Sequence, residues 1–190
     1  MIYRDEKKYD VDDYEFTTRM IPLQKSDEKG LDKIAKFLHN IDAYGGGDVP
    51  EAVLKGVQEA VDKAGWAPKA HKVIIVIGDA PPRPETANDL HNLCSKWKEA
   101  GNVLSCIDTT GKGKIQPEFT LMASLGGGET IALKSEGDVV RQLFLLSFDA
   151  KFRKEAENAY DSAADENTPA DAPTGKGWGG GTPPRPVRSP

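Results

Sequence analysis

The chain has 190 residues, 38% of them hydrophobic, with two cysteines and a formal net charge of -5. That length suits one large domain, or one domain with an appendage. The acidic balance speaks against nucleic acid and against an anionic membrane surface as partners. No apolar run is long enough to span a bilayer.

Met1-Ile2-Tyr3-Arg4-Asp5 lacks the apolar region of a signal peptide. Cys94 and Cys106 stand outside any CxxC and read as two buried thiols. Together these features favour a reducing, cytoplasmic compartment.

Met1 to Tyr3 reads as the end of a strand, and Tyr14 to Leu23 alternates with a period of two, as a half-buried strand hairpinned with it. Ser26 or Asp27 opens a helix whose apolar stripe is Leu31, Ile34, Ala35, Leu38 and Ile41, and the glycine run Gly45-Gly46-Gly47 closes it. A second helix is expected to start at Asp48, with Val53, Leu54, Val57, Ala60, Val61 and Ala64 as its apolar stripe and Gly65 and Pro68 as its stop.

Val73 to Ile77 has no polar interruption and predicts a parallel-sheet strand covered on both faces. A helix after Pro84 carries Leu90, Leu93, Cys94 and Trp97 on one face and stops at Gly101. Val103 to Asp108 is the next buried strand, Pro117 to Leu125 a short helix, and Glu129 to Leu133 the last strand. A final helix starts near Val139 and runs on past Phe148 and Phe152.

Residues 1–162 are therefore expected to form the folded unit. Residues 163–190, dominated by proline, glycine, alanine and charge, are expected to form a disordered tail. Within it Pro183-Pro184-Arg185-Pro186 has polyproline II character that suits an SH3-like groove, but a plain unstructured tail is the expectation. The alternation of strand and helix predicts an α/β fold: a mostly parallel sheet with helices on both faces.

Two loops of this pattern carry carboxylates. Gly45-Gly46-Gly47-Asp48-Val49-Pro50-Glu51-Ala52-Val53 leads into a helix, and Val73-Ile74-Ile75-Val76-Ile77-Gly78-Asp79-Ala80-Pro81-Pro82 ends an apolar strand on an aspartate. Ligands of open parallel sheets sit beyond the carboxyl ends of the strands. If the loops meet there, Asp48, Glu51 and Asp79 converge, and converging carboxylates suit a hard divalent cation. The alternative is structural. Asp48-x-x-Glu51 has the spacing of a capping box with Pro50 in the first helical turn, and Asp79 can be a turn residue held by backbone N–H groups. Capping and metal binding are compatible, since a carboxylate offers about four lone-pair sites.

Asp108 also ends a strand and reads as a turn residue. Lys112-Gly113-Lys114 lacks the rest of a phosphate-binding loop and reads as solvated. His39, His71 and His91 have no metal-ligand spacing. Trp66 and Trp97 read as core or edge aromatics.

The two carboxylate loops, in this order, resemble those of the von Willebrand factor A domains, and the likeness covers most of residues 1–152. It implies a Rossmann-like α/β sandwich with a metal-ion-dependent adhesion site above the sheet. Asp79 corresponds to the aspartate of the third site loop. The Asp48-x-Pro50-Glu51 run is similar to the second loop of integrin β subunits, which makes Glu51 a metal ligand and places Asp48 at an adjacent cation position. Tyr3-Arg4-Asp5 resembles the loop that supplies that position with another carboxylate, here Asp5.

The family's Asp-x-Ser-x-Ser does not occur in the chain. Family order places it on a strand before Tyr3, with a helix between. The resemblance therefore implies a domain lacking the family's first strand and first helix, either as a fragment or as a domain that has lost its complete site.

The function this implies is a protein-binding, adhesion-type module. A carboxylate of the partner would complete a Mg2+ ion (or Ca2+ or Mn2+), held weakly without the first loop, and no catalytic residue is required. Two alternatives stand beside it. One is a magnesium-dependent phosphohydrolase or phosphotransferase using strand-end carboxylates. The other is a degenerate domain with a structural or assembly role.

Overall fold

The computed structural model describes residues 1–4, 17–41, 49–111, 115–135, 138–148 and 150–166. Strand β1 (Ile2–Tyr3) pairs antiparallel with β2 (Thr18–Arg19), Ile2 opposite Arg19 and Tyr3 opposite Thr18. Both are shorter than the alternation predicts, and residues 5–16 lie outside the described segments. Helix α1 (Glu28–His39) starts at Asp27, whose carboxylate accepts from the Gly30 N–H at 2.7 Å. It ends at Asn40 rather than at the glycine run, which falls outside the described residues. Its apolar stripe is not core: Leu31 and Leu38 are more than half exposed. With so little burial to hold the helix, the cap matters, and Asp27→Ala is expected to cost about 1 kcal/mol in thermal unfolding.

Helix α2 (Val53–Lys63) buries Val53 and Val57, as its stripe predicts, and Gly56 besides. Its start differs from expectation. Ala52 is the capping position, without a side-chain cap. Pro50 and Glu51 precede the helix because the Glu51 backbone is drawn into an extended bridge with Pro82. Glu51 is therefore not the third helical residue of a capping box, and Asp48 lies outside the described residues.

The second sheet is parallel, in the order β3-β4-β5. Its strands are β3 (Val73–Gly78), β4 (Val103–Asp108) and β5 (Gly127–Ala132). The crossovers are α3 (Ala87–Glu99) and α4 (Pro117–Leu125), so each parallel step is a β-α-β unit. Ile74 and Val76 of β3 and Leu104 and Cys106 of β4 point into one apolar cluster with Val53 and Val57, Leu90, Cys94 and Trp97, and Phe119 and Met122 from α2, α3 and α4. The tryptophans are indeed core and edge: Trp97 is buried, Trp66 half-buried, and their rings tilt together at 5.5 Å. Both cysteines are buried free thiols, as expected. Burial pushes the Cys94 thiol up to about 11 and raises Cys106 further.

The opposite face is covered unevenly. Ile107 of β4 is fully buried and helix α5 (Asp138–Leu146) packs against β5, while Ile75 of β3 is half-buried and Ile77 is 41% exposed. Strand β3, at the edge of its sheet, is thus covered fully on one face and only partly on the other.

The expected single final helix is two. Helix α5 stops at Leu146, and α6 (Arg153–Glu166) returns to pack on it through Phe144 and Tyr160, 5.5 Å apart. Helix α6 covers residues 163–166, the first four of the expected tail; the rest of the tail, residues 167–190, lies outside the described residues. No described helix is long and apolar enough to cross a membrane.

Candidate functional site

The amino terminus of α2 and the carboxyl end of β3 are tied together by their backbones. The Glu51 N–H donates to the Pro81 carbonyl at 2.9 Å, and the Arg83 N–H donates to the Glu51 carbonyl at 3.2 Å. The Asp79 carbonyl accepts from the Gln116 side-chain amide at 3.3 Å, which joins the loop before α4 to the same rim. Glu51 is half-buried and Asp79 exposed, and both line one cleft of about 390 Å³. Glu51 and Asp79 thus line the same cleft. Asp5 and Asp48 lie outside the described residues.

The cleft separates the two sheets. One wall is Met1–Arg4, the other is the free edge of β3, and Gly56, Val57 and Ala60 of α2 close it from one side. Tyr3 crosses its upper end. Its Cβ lies where a side chain on Gly56 would be, 2.9 Å from an ideal Cβ there, and its hydroxyl is 2.7 Å from an ideal Cβ on Gly78. The hydroxyl donates to the Ile77 carbonyl at 3.3 Å. Burial raises the Tyr3 phenol well above its ordinary value, and the nearby Cys106, Glu51 and Asp79 raise it further. Tyr3 therefore stays neutral and acts as a donor beside the two carboxylates.

Sequence reasoning missed Tyr3 as a wall of this site. The available signal was Gly56, a glycine inside an otherwise amphipathic helix, a position that implies close approach of another element. Arg83 was missed too: it is 4% exposed at the same loop, with its guanidinium 3.7 Å from the Glu85 carboxylate.

Asp108 is not part of the rim. It is 1% exposed, and its carboxylate accepts from the Thr110 N–H at 2.9 Å, the Thr110 hydroxyl at 2.7 Å and the Gln116 N–H at 2.6 Å. Three of its acceptor sites hold the loop, as the turn reading expects. Of the histidines, His91 meets the Glu118 carboxylate at 2.9 Å and links α3 to α4, while His39 and His71 are exposed. Lys112 to Lys114 lie outside the described residues.

A hard divalent cation takes about six oxygen ligands, and Mg2+ keeps several of them as water. Among the described residues no three His, Cys, Asp or Glu side chains group closely enough to hold a metal ion. Glu51 and Asp79 alone supply two carboxylates, so the described donor set does not fit such an ion. Comparison with known protein families, with curated proteins and with solved structures found no match to this chain.

Proposed function

We propose that this chain is a protein-binding module of the von Willebrand factor A kind, and that partners engage the rim formed by Glu51 and Asp79. The observation that carries this reading is the pairing of the two rim loops, Glu51 N–H to the Pro81 carbonyl and Arg83 N–H to the Glu51 carbonyl. It places two carboxylates from distant parts of the chain at the carboxyl end of a parallel sheet, where such folds bind their ligands.

The adhesion-type version adds a divalent cation, Mg2+ or in its stead Ca2+ or Mn2+, with a partner carboxylate as a further ligand. Two carboxylates make that cation weakly held at best. Calorimetric titration of the chain with magnesium chloride is expected to show weak binding or none. An affinity near about 1 μM would mean that further ligands complete the site.

The binding reading itself is tested by a photo-crosslinking residue at position 77, on the rim. Adducts with other proteins are expected there and not from the same residue at exposed Gln58 on α2, and they should weaken with Glu51→Ala and Asp79→Ala. Adducts indifferent to both substitutions would support the structural or assembly role instead. Turnover of a simple phosphate ester with magnesium, abolished by Asp79→Asn, would replace the binding reading with the phosphohydrolase.

A further inference from the structure

Helix α1 carries an apolar stripe that its own chain leaves bare. The face it turns to the body is another one: Gly30 is buried, and Phe37, seven residues on, is half-buried in a hollow with Ile21 and Pro22 from the chain after β2. This sets α1 beside β2, whereas the cleft lies between β1 and β3. Leu31, Ile34, Ala35 and Leu38 are all exposed, the two leucines by more than half. A helix of 12 residues is marginal in water by itself, and packing of its apolar face is what ordinarily stabilises it.

Two properties of the stripe define what covers it. Leu31, Ile34, Leu38 and Ile41 are spaced three, four and three apart, the a and d spacing of a helix that packs along another helix. The stripe also reads the same in both directions. About a midpoint between Ile34 and Ala35, Leu31 mirrors Leu38 and Ile34 mirrors Ala35. A second α1 laid antiparallel therefore sets leucine against leucine and the large Ile34 against the small Ala35, so the seam interdigitates.

Charge selects the same direction. Asp27 and Glu28 stand at the start of α1, and Lys36 and His39 lie in its last turn. Lys36 meets Asp32 of its own helix at 2.7 Å, an exposed pair of little worth. An antiparallel pair brings each acidic start beside the other copy's basic end and opposes the two macrodipoles; a parallel pair sets like beside like. A bilayer surface asks instead for a cationic polar face, and α1 mixes Glu28 and Asp32 with Lys29, Lys33 and Lys36.

We propose that two copies of this chain associate through α1, antiparallel about a two-fold axis that passes between Ile34 and Ala35. Neither Glu51 nor Asp79 takes part, so the proposal stands or falls apart from the binding reading of the rim. A seam shorter than two heptads buries less than a standard interface, and the dimer is accordingly weak, half-formed at roughly 100 μM.

Sedimentation velocity of the full chain from about 1 μM to about 1 mM is expected to show a reversible monomer–dimer equilibrium. Leu38→Glu should abolish it, with an unfolding midpoint at low concentration close to that of the parent, since Leu38 is exposed. Direction is read by disulfide trapping with glutathione disulfide as the oxidant. Chains bearing Leu31→Cys mixed with chains bearing Leu38→Cys should give a covalent dimer. Leu31→Cys alone should not, because antiparallel pairing holds the two copies of position 31 about 10 Å apart along the axis. Cys94 and Cys106 are buried and take no part.

A chain that stays monomeric at about 1 mM overturns the proposal, as does a dimer that Leu38→Glu leaves intact. Trapping of Leu31→Cys with itself overturns the antiparallel arrangement. Leu38-dependent binding to phosphatidylcholine vesicles by a chain that stays monomeric would give the stripe to a bilayer and overturn the dimer too. Should Leu38→Glu not fold, the mixed trapping decides.

Discussion

Gly128→Ala is expected to lower the stability of the fold by about 3 kcal/mol, seen as a fall of roughly 10 °C in the unfolding midpoint. The cause is a bulge. On β4 the pairing steps from Leu104 to Cys106, while on β5 it steps from Gly127 to Thr130, so β5 carries an extra residue between the same two rungs. The extra residue is accommodated by bringing the β5 backbone hard against β4. An ideal Cβ on Gly128 would clash with the Leu104 carbonyl oxygen and Ser105 Oγ, and would lie 2.7 Å from the Leu104 carbonyl carbon. These are mostly backbone atoms of a fully buried strand and cannot step aside.

Gly101 is the control. It has φ +78° with open space around it, so Gly101→Ala meets only conformational strain and should cost about 1 kcal/mol. Equal losses for the two variants would mean that the bulge yields and the crowding is not what requires glycine. The Glu129 N–H, which donates to Ser105 Oγ at 3.3 Å, should lose protection from hydrogen exchange in the Gly128 variant.

Asp108→Ala is the second large effect, again about 3 kcal/mol. It strands two backbone N–H groups and one hydroxyl in a site with almost no solvent access. Asp108→Asn should recover part of the loss, since one amide oxygen can still accept from Thr110, but its NH2 would face the Gln116 N–H. The pH dependence separates charge from shape. Burial alone would raise the Asp108 carboxyl; the bonds from Gln116 and Thr110 outweigh it and hold the group below its ordinary value. A carboxyl depressed in the folded state contributes stability above its unfolded value, about 3.9, and that contribution fades as the pH falls further. Unfolding midpoints measured below about pH 4 should therefore fall more steeply for the parent than for Asp108→Asn. Parallel curves would show that the loop is not held by the ionised carboxylate.

Much of the site was legible before any coordinates. Five apolar residues running into Gly78-Asp79 marked a strand end, and the chain before Val53 marked a loop at a helix start. Placing them together needed only the rule that parallel strands open their ligand sites at one end. Their detailed geometry was not legible. Asp48-x-Pro50-Glu51 matches a helix start so well that only the bridge from Glu51 to Pro82 shows the helix beginning at Val53 instead. Local preference lost there to a long-range backbone hydrogen bond, which no spacing rule encodes.

By itself the sequence determined the α/β class, the order of elements as far as β5, the apolar faces of α2 and α3 and the buried thiols. These follow from period, breakers and burial preference, which act over a few residues. Tertiary structure alone decided which strand lies at an edge. An uninterrupted run such as Val73 to Ile77 looks the same whether one neighbour or two flank it, because backbone pairing leaves no mark on side-chain pattern. It also decided that the α1 stripe stays largely exposed and that Tyr3 bridges Gly56 and Gly78. Both outcomes depend on which distant surface arrives, a matter of topology and not of local composition.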